Sequence, residues 1–368
     1  MLCNKDKCRI MDKKSKIYVA GHMGLVGSSL HRTLLELGYS NIVTRTHDEL
    51  DLIRQADTER FFEEERPEYV FLAASKVGGI IANMTYTAEF IYNNLAIAAN
   101  VINSAYRYGV KKLLNIGSSC IYPKIAPQPL KEEYLLTNIL EPTNEPYAIA
   151  KIAAIKLCRY YNQQYKTNFI SVMPTNLYGV RDNFNLETAH VLPALIRKFH
   201  LAKLLKGKNY KAIVEDLNTN KLGFGLDEQV DVDSPESIDK ALREIGITGE
   251  YVMLWGTGEP YREFLYVDDL SQACIFLMAN YDSIAIGEFI NIGSGSDMKI
   301  KDIAAIVKDT VGYTGDMRHD TSKPDGMQRK LMDSSRMEKL GWKQKHTLAE
   351  GIKKTYEWYV GNSGAKQL

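Results

Sequence analysis

The sequence lacks the features that mark membrane, secreted or nucleic-acid-binding proteins. None of its uninterrupted apolar stretches approaches the ~18 residues of a membrane span, and the polar segment 1–16 has no signal-peptide core. Lysine and arginine number 46 against 45 aspartate and glutamate, so the net charge of +1 gives no reason to expect a nucleic acid or membrane partner. We therefore expect a cytoplasmic protein.

Cysteine is also scarce. An odd number of five cysteines argues against a disulfide framework and for reduced thiols: Cys3, Cys8, Cys120, Cys158 and Cys274. Two cysteines in a polar tail are too few to hold a metal ion. We expect no metal site and a flexible tail over residues 1–15.

The remaining composition is that of an ordinary globular protein, with 45% hydrophobic and 25% charged residues in 368 positions. This length supports a sizeable core and two structural parts. Short apolar runs alternate with helical segments near 57–65 and 87–108; the runs are Lys16–Ala20, Asn41–Arg45, Tyr69–Ala74 and Lys112–Gly117. This alternation predicts an α/β fold, a doubly wound parallel Rossmann sheet covered on both faces, with ligands at the carboxyl ends of its strands.

A glycine-rich turn follows the first run and opens a helical pattern. Glycines let the backbone approach a pyrophosphate, which free amides and the helix dipole then stabilise. The spacing Gly-x-x-Gly-x-x-Gly is the variant found in short-chain dehydrogenases. The predicted cofactor loop comprises Gly21, His22, Met23, Gly24, Leu25, Val26 and Gly27.

The end of the second run is where such a sheet distinguishes its dinucleotides. A basic residue there suits the 2′-phosphate of NADP, and this chain has Arg45 and His47. Asp48 follows closely, so NADP(H) is favoured and NAD(H) is not excluded. The end of the third run adds Ala73 and Ala74 to the predicted cofactor site.

Two further patterns carry chemistry. Ser118 follows the fourth run, and Tyr147 precedes Lys151 by four residues, which places phenol and ammonium on one helical face. Taken alone, the serine fits a helix cap and the pair a surface helix. Together, a hydroxyl to orient a carbonyl, a phenol to pass a proton and an ammonium to lower the phenol pKa predict carbonyl reduction.

From about Lys16 onward the chain resembles the extended short-chain dehydrogenase/reductases and, within them, the GDP-L-fucose synthase family. The most specific stretches are 117–123 (GSSCIYP), 141–151 (EPTNEPYAIAK), 171–179 (SVMPTNLYG), 262–269 (REFLYVDD) and 322–326 (SKPDG). The resemblance implies an NADP-binding Rossmann domain over 16–180, to which some later segments return, and a smaller C-terminal α/β substrate domain over 181–368.

The resemblance also implies an activity and its residues. The family reduces a GDP-bound 4-keto sugar with NADPH, and its fucose-forming members first invert C3 and C5. Carried over, Ser118 holds the C4 carbonyl, Tyr147 donates the proton, and Lys151 holds the nicotinamide ribose and tunes Tyr147. Cys120 matches the epimerisation base and His190 its acid, and His190 also joins the cofactor set. If the resemblance is set aside, the residues themselves favour a small buried apolar side chain for Cys120 and an interface histidine with satisfied hydrogen bonds for His190.

Substrate contacts are expected from the later half of the chain. Asn176 is placed near the sugar or pyrophosphate, Arg262 and Lys323 near the diphosphate, and Trp255 against the guanine. Lys198 stands where the family pattern has an arginine facing the phosphates, which keeps the charge but loses the bidentate geometry.

Other departures concern the cofactor and one insertion. Met23 and His47 replace family arginines, so recognition of the 2′-phosphate rests mainly on Arg45. The link at about 206–250 is some forty residues longer than in the family. Its segment 231–246 has a capped start and a glycine stop, which predicts a short helix. The insertion either reshapes the sugar pocket or decorates the surface.

These observations predict an NADPH-dependent C4 reductase of a GDP-linked 4-keto sugar, with C3/C5 epimerisation, acting as a homodimer through helices near 87–108 and 147–165. One alternative is a C4 reductase of a GDP-4-keto-heptose without epimerisation. A second is a non-catalytic nicotinamide-binding scaffold, although such proteins commonly lose the tyrosine or lysine retained here.

Overall fold

The computed structural model describes residues 11–323 and 325–362, without the side chains of residues 80 and 81. Its strands are β1 (Ile17–Ala20), β2 (Ile42–Val43), β3 (Tyr69–Leu72), β4 (Lys112–Ile116), β5 (Phe169–Pro174), β6 (Asn176–Tyr178), β7 (Tyr251–Trp255), β8 (Tyr261–Tyr266), β9 (Ile290–Ile292), β10 (Asp297–Lys299), β11 (Asp316–Asp320) and β12 (Arg329–Lys330). Its α-helices are α1 (Leu25–Glu36), α2 (Gln55–Glu65), α3 (Ile80–Thr85), α4 (Thr87–Arg107), α5 (Glu145–Tyr165), α6 (Val191–Lys206), α7 (Tyr210–Thr219), α8 (Pro235–Glu244), α9 (Val267–Asn280), α10 (Ser283–Ile286), α11 (Ile300–Val311), α12 (Ser335–Lys339) and α13 (Leu348–Asn362).

Six strands form a parallel sheet in the order β2-β1-β3-β4-β5-β9. Ile17 of β1 lies beside Ile42 on one side and Tyr69 on the other, so the strand order reverses at β1. The predicted parallel sheet is therefore confirmed, although the second strand is shorter than the predicted 41–45. A ligand-binding crevice is expected beside β1 at the carboxyl ends of the strands.

Helices cover both faces of this sheet because its strands are apolar on both sides. One face packs against α1 and α9 through residues such as Leu30 and Leu270, and the other packs against α2, α4 and α5 through residues such as Phe62 and Ile102. Residues 1–10 of the predicted tail lie outside the described residues. Met11 is fully buried in the α1 face and Ser15 is buried, whereas residues 12–14 are exposed.

A second core lies beyond the sheet, around β8. Strand β8 pairs with β6, β10 and β12, and β7 pairs with β11. Helices α6, α7, α8, α11 and α13 contribute to its apolar cluster. Later segments also return to the first sheet: β9 pairs with β5, and α9 packs on α1.

The insertion is folded and anchored in this second core. It contains α7 and α8, and α8 begins after Ser234, whose hydroxyl accepts a hydrogen bond from Ser237 N, as predicted for this segment. The fully buried Arg197 of α6 pairs with Asp216 of α7 at 2.8 Å. In the described residues, no helix is long and apolar enough to cross a membrane.

Candidate active site

A single large cleft of about 2380 Å³ joins the carboxyl edge of the parallel sheet to the second core. A pocket for one small molecule is typically ~300–1,000 Å³, so this cleft has room for a dinucleotide and a second large ligand. Most of the predicted site residues line it: Gly21, Gly24, Leu25, Val26, Gly27, Arg45, Ala73, Ala74, Ser118, Cys120, Tyr147, Lys151, Asn176, His190, Lys198, Trp255, Arg262 and Lys323. His22 and Met23 do not.

The glycine loop fits a diphosphate closely. A Cβ on Gly27 would lie 2.0 Å from Gly21 O, and Gly21, at φ +82°, would bring a Cβ within 2.7 Å of the Ala74 backbone. Gly24 caps α1 with extended backbone and no side chain of its own. The first amides of α1 therefore face the cleft without obstruction, as pyrophosphate binding requires.

The adenosine end of the cleft differs from expectation at Arg45. Its guanidinium is paired with Glu65 and also donates to Thr44 O, so the predicted phosphate contact has to share that cation with a carboxylate. Arg181 was not predicted, yet it lines the same cleft. Burial and then the positive charge of Arg181 lower the pKa of His31 on α1, which places Arg181 near the glycine loop.

Ser118, Tyr147 and Lys151 meet where β4 and α5 approach each other. Ser118 follows the end of β4, and Tyr147 lies in the first turn of α5 with Lys151 one turn later. The hydroxyls of Ser75 and Ser118 lie close enough to the Tyr147 phenol to lower its pKa. Sequence reasoning missed Ser75, which the same rule about strand ends could have found, because it follows β3.

The predicted effect of Lys151 on Tyr147 is not what the structure shows. Burial raises the pKa of Tyr147 above its usual value, and the hydroxyls of Ser75 and Ser118 only partly oppose this. Lys151 Nζ lies 5.6 Å from the centre of the phenol ring and donates to Ile116 O at 2.9 Å. Burial also lowers the pKa of Lys151 to about 8, so the lysine shares the desolvation of its neighbour.

Cys120 faces two polar groups in the same part of the cleft. Asn144 Nδ2 donates to its Sγ at 3.4 Å, and Lys330 Nζ lies 3.8 Å from the sulfur. His190 immediately precedes α6, lines the cleft and is an exposed residue. Burial and then the charge of Lys330 lower the pKa of His190. Sequence reasoning missed both Lys330 and Asn144.

Lys198 and Arg262, both predicted to face the substrate phosphates, are among the cations that line the cleft. Lys198 Nζ donates to Ile245 O and Met253 O at 3.2 Å each, and burial lowers the pKa of Lys198 to about 8. Arg262 donates to a backbone carbonyl; burial lowers its pKa, while the charge of Asp325 opposes the shift. Partial burial of both cations strengthens their attraction for an anion.

The aromatic end of the cleft contains a residue of the insertion. Trp255 is 49% exposed, and Lys323 Nζ lies 5.5 Å over its ring. The Phe224 ring meets Trp255 edge to face at 6.4 Å between centroids. Other insertion residues on the cleft wall are Leu226, Arg243, Glu244, Ile245 and Gly246. The insertion therefore shapes the cleft.

Asn176 also lies at the wall of the cleft, and its side-chain amide donates to Glu263 O at 2.8 Å.

A parallel sheet with this glycine loop, and serine, tyrosine and lysine gathered beside it, defines an enzyme of the short-chain dehydrogenase/reductase type. The model of the NAD dependent epimerase/dehydratase family matches residues 17–218 and 219–293. The chain belongs to that family, in the group that contains the GDP-L-fucose synthases.

Individual relatives cover almost the whole chain. GDP-L-fucose synthase 1 of Arabidopsis thaliana is 52% identical over 351 residues, 95% of each chain. A solved GDP-6-OMe-4-keto-L-xylo-heptose reductase from C. jejuni is 43% identical, with a TM-score of 0.89 over 96% of this chain and 99% of its own. A GDP-mannoheptose C4 reductase from Campylobacter jejuni with NADP bound is 42% identical, with a TM-score of 0.81 over 95% and 99%.

Proposed function

We propose that the protein is an NADPH-dependent reductase that acts at C4 of a GDP-linked 4-keto sugar and also epimerises C3 and C5. The observation that carries this proposal is that Ser118, Tyr147, Lys151 and Cys120 line one cleft with the glycine loop. The names of its relatives, synthases of GDP-L-fucose and reductases of GDP-heptoses, agree with this chemistry.

For reduction, the side chains handle the carbonyl oxygen. NADPH, when bound, supplies the hydride that C4 accepts. Ser118 holds the oxygen by a hydrogen bond, and the Tyr147 phenol gives it a proton as negative charge develops. The raised pKa of Tyr147 keeps the phenol protonated before reaction, as a donor must be. Lys151 holds the nicotinamide ribose beside Ser118 and Tyr147.

For epimerisation, Cys120 and His190 move protons at carbon. C3 and C5 lie α to the C4 ketone, so the Cys120 thiolate can take a proton while the C–H electron pair moves into an enolate. Ser118 and Tyr147 stabilise the enolate oxygen. Protonated His190 then returns a proton to the opposite face. Its lowered pKa makes the protonated form a stronger acid and also less populated at neutral pH. The charge of Lys330 lies near both groups.

One alternative is supported by specific observations. Lysine at position 198 and insertion residues along the cleft wall both alter the substrate side, and two solved relatives bear the names of heptose reductases. The alternative substrate is a GDP-4-keto-heptose, reduced at C4 without epimerisation. The non-catalytic scaffold is disfavoured because the chain retains Ser118, Tyr147 and Lys151 and all three line the cleft.

The test is incubation of GDP-4-keto-6-deoxyhexose and GDP-4-keto-heptose with NADPH in deuterated water. We expect reduced product carrying solvent deuterium at C3 and C5, and loss of that label in Cys120→Ser. Reduced product without deuterium at these carbons would contradict the epimerase activity and leave only the reductase activity. No reduction of either sugar, with NADPH or NADH, would remove the enzyme assignment.

The assembly and compartment are part of the proposal. We expect a homodimer through α4 and α5, which pack side by side and expose Tyr92 and Tyr160. Light scattering measures the mass in solution, and a monomer at micromolar concentration would contradict it. The unpaired thiols of Cys158 and Cys274 support a reducing, cytoplasmic setting.

A further inference from the structure

Asn144 sits at a helix start but does not cap it. An asparagine at the N-cap of a helix usually accepts a hydrogen bond from a backbone N–H two or three residues on. The side chain of Asn144, the N-cap residue of α5, makes no such bond. Its Nδ2 instead donates to Cys120 Sγ at 3.4 Å. Helix stability is therefore not what holds this side chain in place.

The other end of the same amide is also unusual. Asn144 Oδ1 is buried and has no hydrogen-bond partner in the part of the chain that the structure describes. A buried acceptor without a partner is unfavourable, and such groups concentrate at functional sites. Lys330, itself almost buried, brings its Nζ to 3.8 Å from the same sulfur. A neutral N–H donor and an ammonium thus converge on Cys120 Sγ.

We propose that Asn144 is a positioning residue for Cys120: its amide N–H donates to the thiolate, holds the sulfur toward the substrate carbons and stabilises the anion that removes their proton. Lys330 supplies charge to the same anion from a second direction. This role of Asn144 in catalysis rests on the proposed epimerisation. Reduction at C4 does not require it, because Ser118 and Tyr147 act on the oxygen.

Two substitutions separate this role from helix capping. Aspartate is as good an N-cap as asparagine, and its charge favours a helix start, whereas alanine is a poor cap. If Asn144 served as a helix cap, the stability of Asn144→Asp would be close to that of the wild type and the stability of Asn144→Ala would be lower than both. If Asn144 stabilises the thiolate, the reactivity of Cys120 is lower in Asn144→Asp than in Asn144→Ala. The aspartate carboxylate offers no N–H and repels the sulfur anion, whereas alanine only removes the donor.

The experiment measures alkylation of Cys120 by iodoacetamide across neutral to alkaline pH in the substrate-free enzyme, at peptide level by mass spectrometry. We expect Asn144→Ala to react about tenfold more slowly near pH 7 and Asn144→Asp more slowly still, since a hydrogen bond to a charged group contributes roughly that factor. Because the Asn144 side chain makes no capping bond, thermal melting of Asn144→Ala should stay close to that of the wild type, whereas loss of a cap would lower it. Asn209→Ala is the matched control, because Asn209 caps α7 through Ala212 N and lies outside the cleft lining.

The second readout is solvent deuterium exchange at C3 and C5 of a GDP-4-keto sugar without reduced cofactor. The Asn144 variants should lose exchange in the same order, and by a larger factor than they lose reduction of a sugar that needs no epimerisation. Alkylation of Asn144→Asp as fast as the wild type would overturn the role of Asn144. The predicted alkylation order, with no exchange in the wild type, would overturn the proposed epimerisation and leave Asn144 as the donor to the thiolate.

Discussion

We expect Lys198, which is predicted to face the substrate diphosphate, to make GDP binding depend on pH in a way that an arginine would not. Burial lowers the pKa of Lys198 to about 8, so the amine is charged below that pH and neutral above it. A bound diphosphate stabilises the charged form and raises that pKa in the complex. The contribution of Lys198 to the affinity for a diphosphate is therefore complete below the pKa of the free protein and is lost as pH rises through that pKa.

The size of the loss follows from the fraction of charged lysine. With a pKa of about 8, that fraction falls from about nine tenths near pH 7 to about one quarter near pH 8.5. We expect the affinity for GDP, measured by titration calorimetry on the cofactor-free protein, to fall about fourfold over this interval.

Lys198→Arg is the matched control for this measurement. Arginine keeps its charge throughout this range, so the variant should bind GDP equally well at both pH values. Lys198→Met should bind more weakly than the wild type near pH 7 and show no further fall. The same fourfold fall in the arginine variant would assign the pH dependence to another group and contradict the contact between Lys198 and the diphosphate.

Three further predictions test other parts of the molecule. Tyr147→Phe removes the proposed proton donor and should slow reduction by about 10²–10⁴-fold in an NADPH oxidation assay; near wild-type turnover would assign the proton to another group. Arg197→Met leaves the buried Asp216 with the Tyr359 hydroxyl but without its cationic partner, and should lower the free energy of unfolding by about 3–5 kcal/mol in a denaturant titration; addition of Asp216→Leu should recover part of this loss. Arg45→Ala should weaken NADPH binding about tenfold in a fluorescence titration and leave NADH binding unchanged, whereas equal losses would exclude Arg45 from the 2′-phosphate site.

Much of the fold was predictable because its signals are local. The first strand, the glycine turn and the helix after it lie within about twenty consecutive residues, and the predicted strands at 69–74 and 112–117 appear as β3 and β4 with slightly shorter bounds. The short helix predicted in 231–246 appears as α8 for the same reason. The second predicted strand is reduced to Ile42–Val43, since pairing with β1 and not composition decides where a strand ends.

The site was predictable only in part. Motifs indicated Ser118 and Tyr147, whose residue types carry recognisable chemistry at fixed spacing. Lys330 was missed because it reaches Cys120 across 210 positions of the chain. Asn144 was missed although it stands three residues before Tyr147, because a helix-starting asparagine is ordinarily a cap.

The sequence by itself determined the class of fold, the cofactor loop and the residue types for carbonyl reduction, since these depend on short patterns and on resemblance to a known family. Only the tertiary structure decided the electrostatics of the site. Burial, which depends on neighbours distant in the chain, raises the pKa of Tyr147 and lowers that of Lys151, where spacing alone predicted an ammonium that acidifies a phenol. The same packing placed Lys330 and Asn144 around one sulfur and brought Phe224 of the insertion to the wall of the cleft.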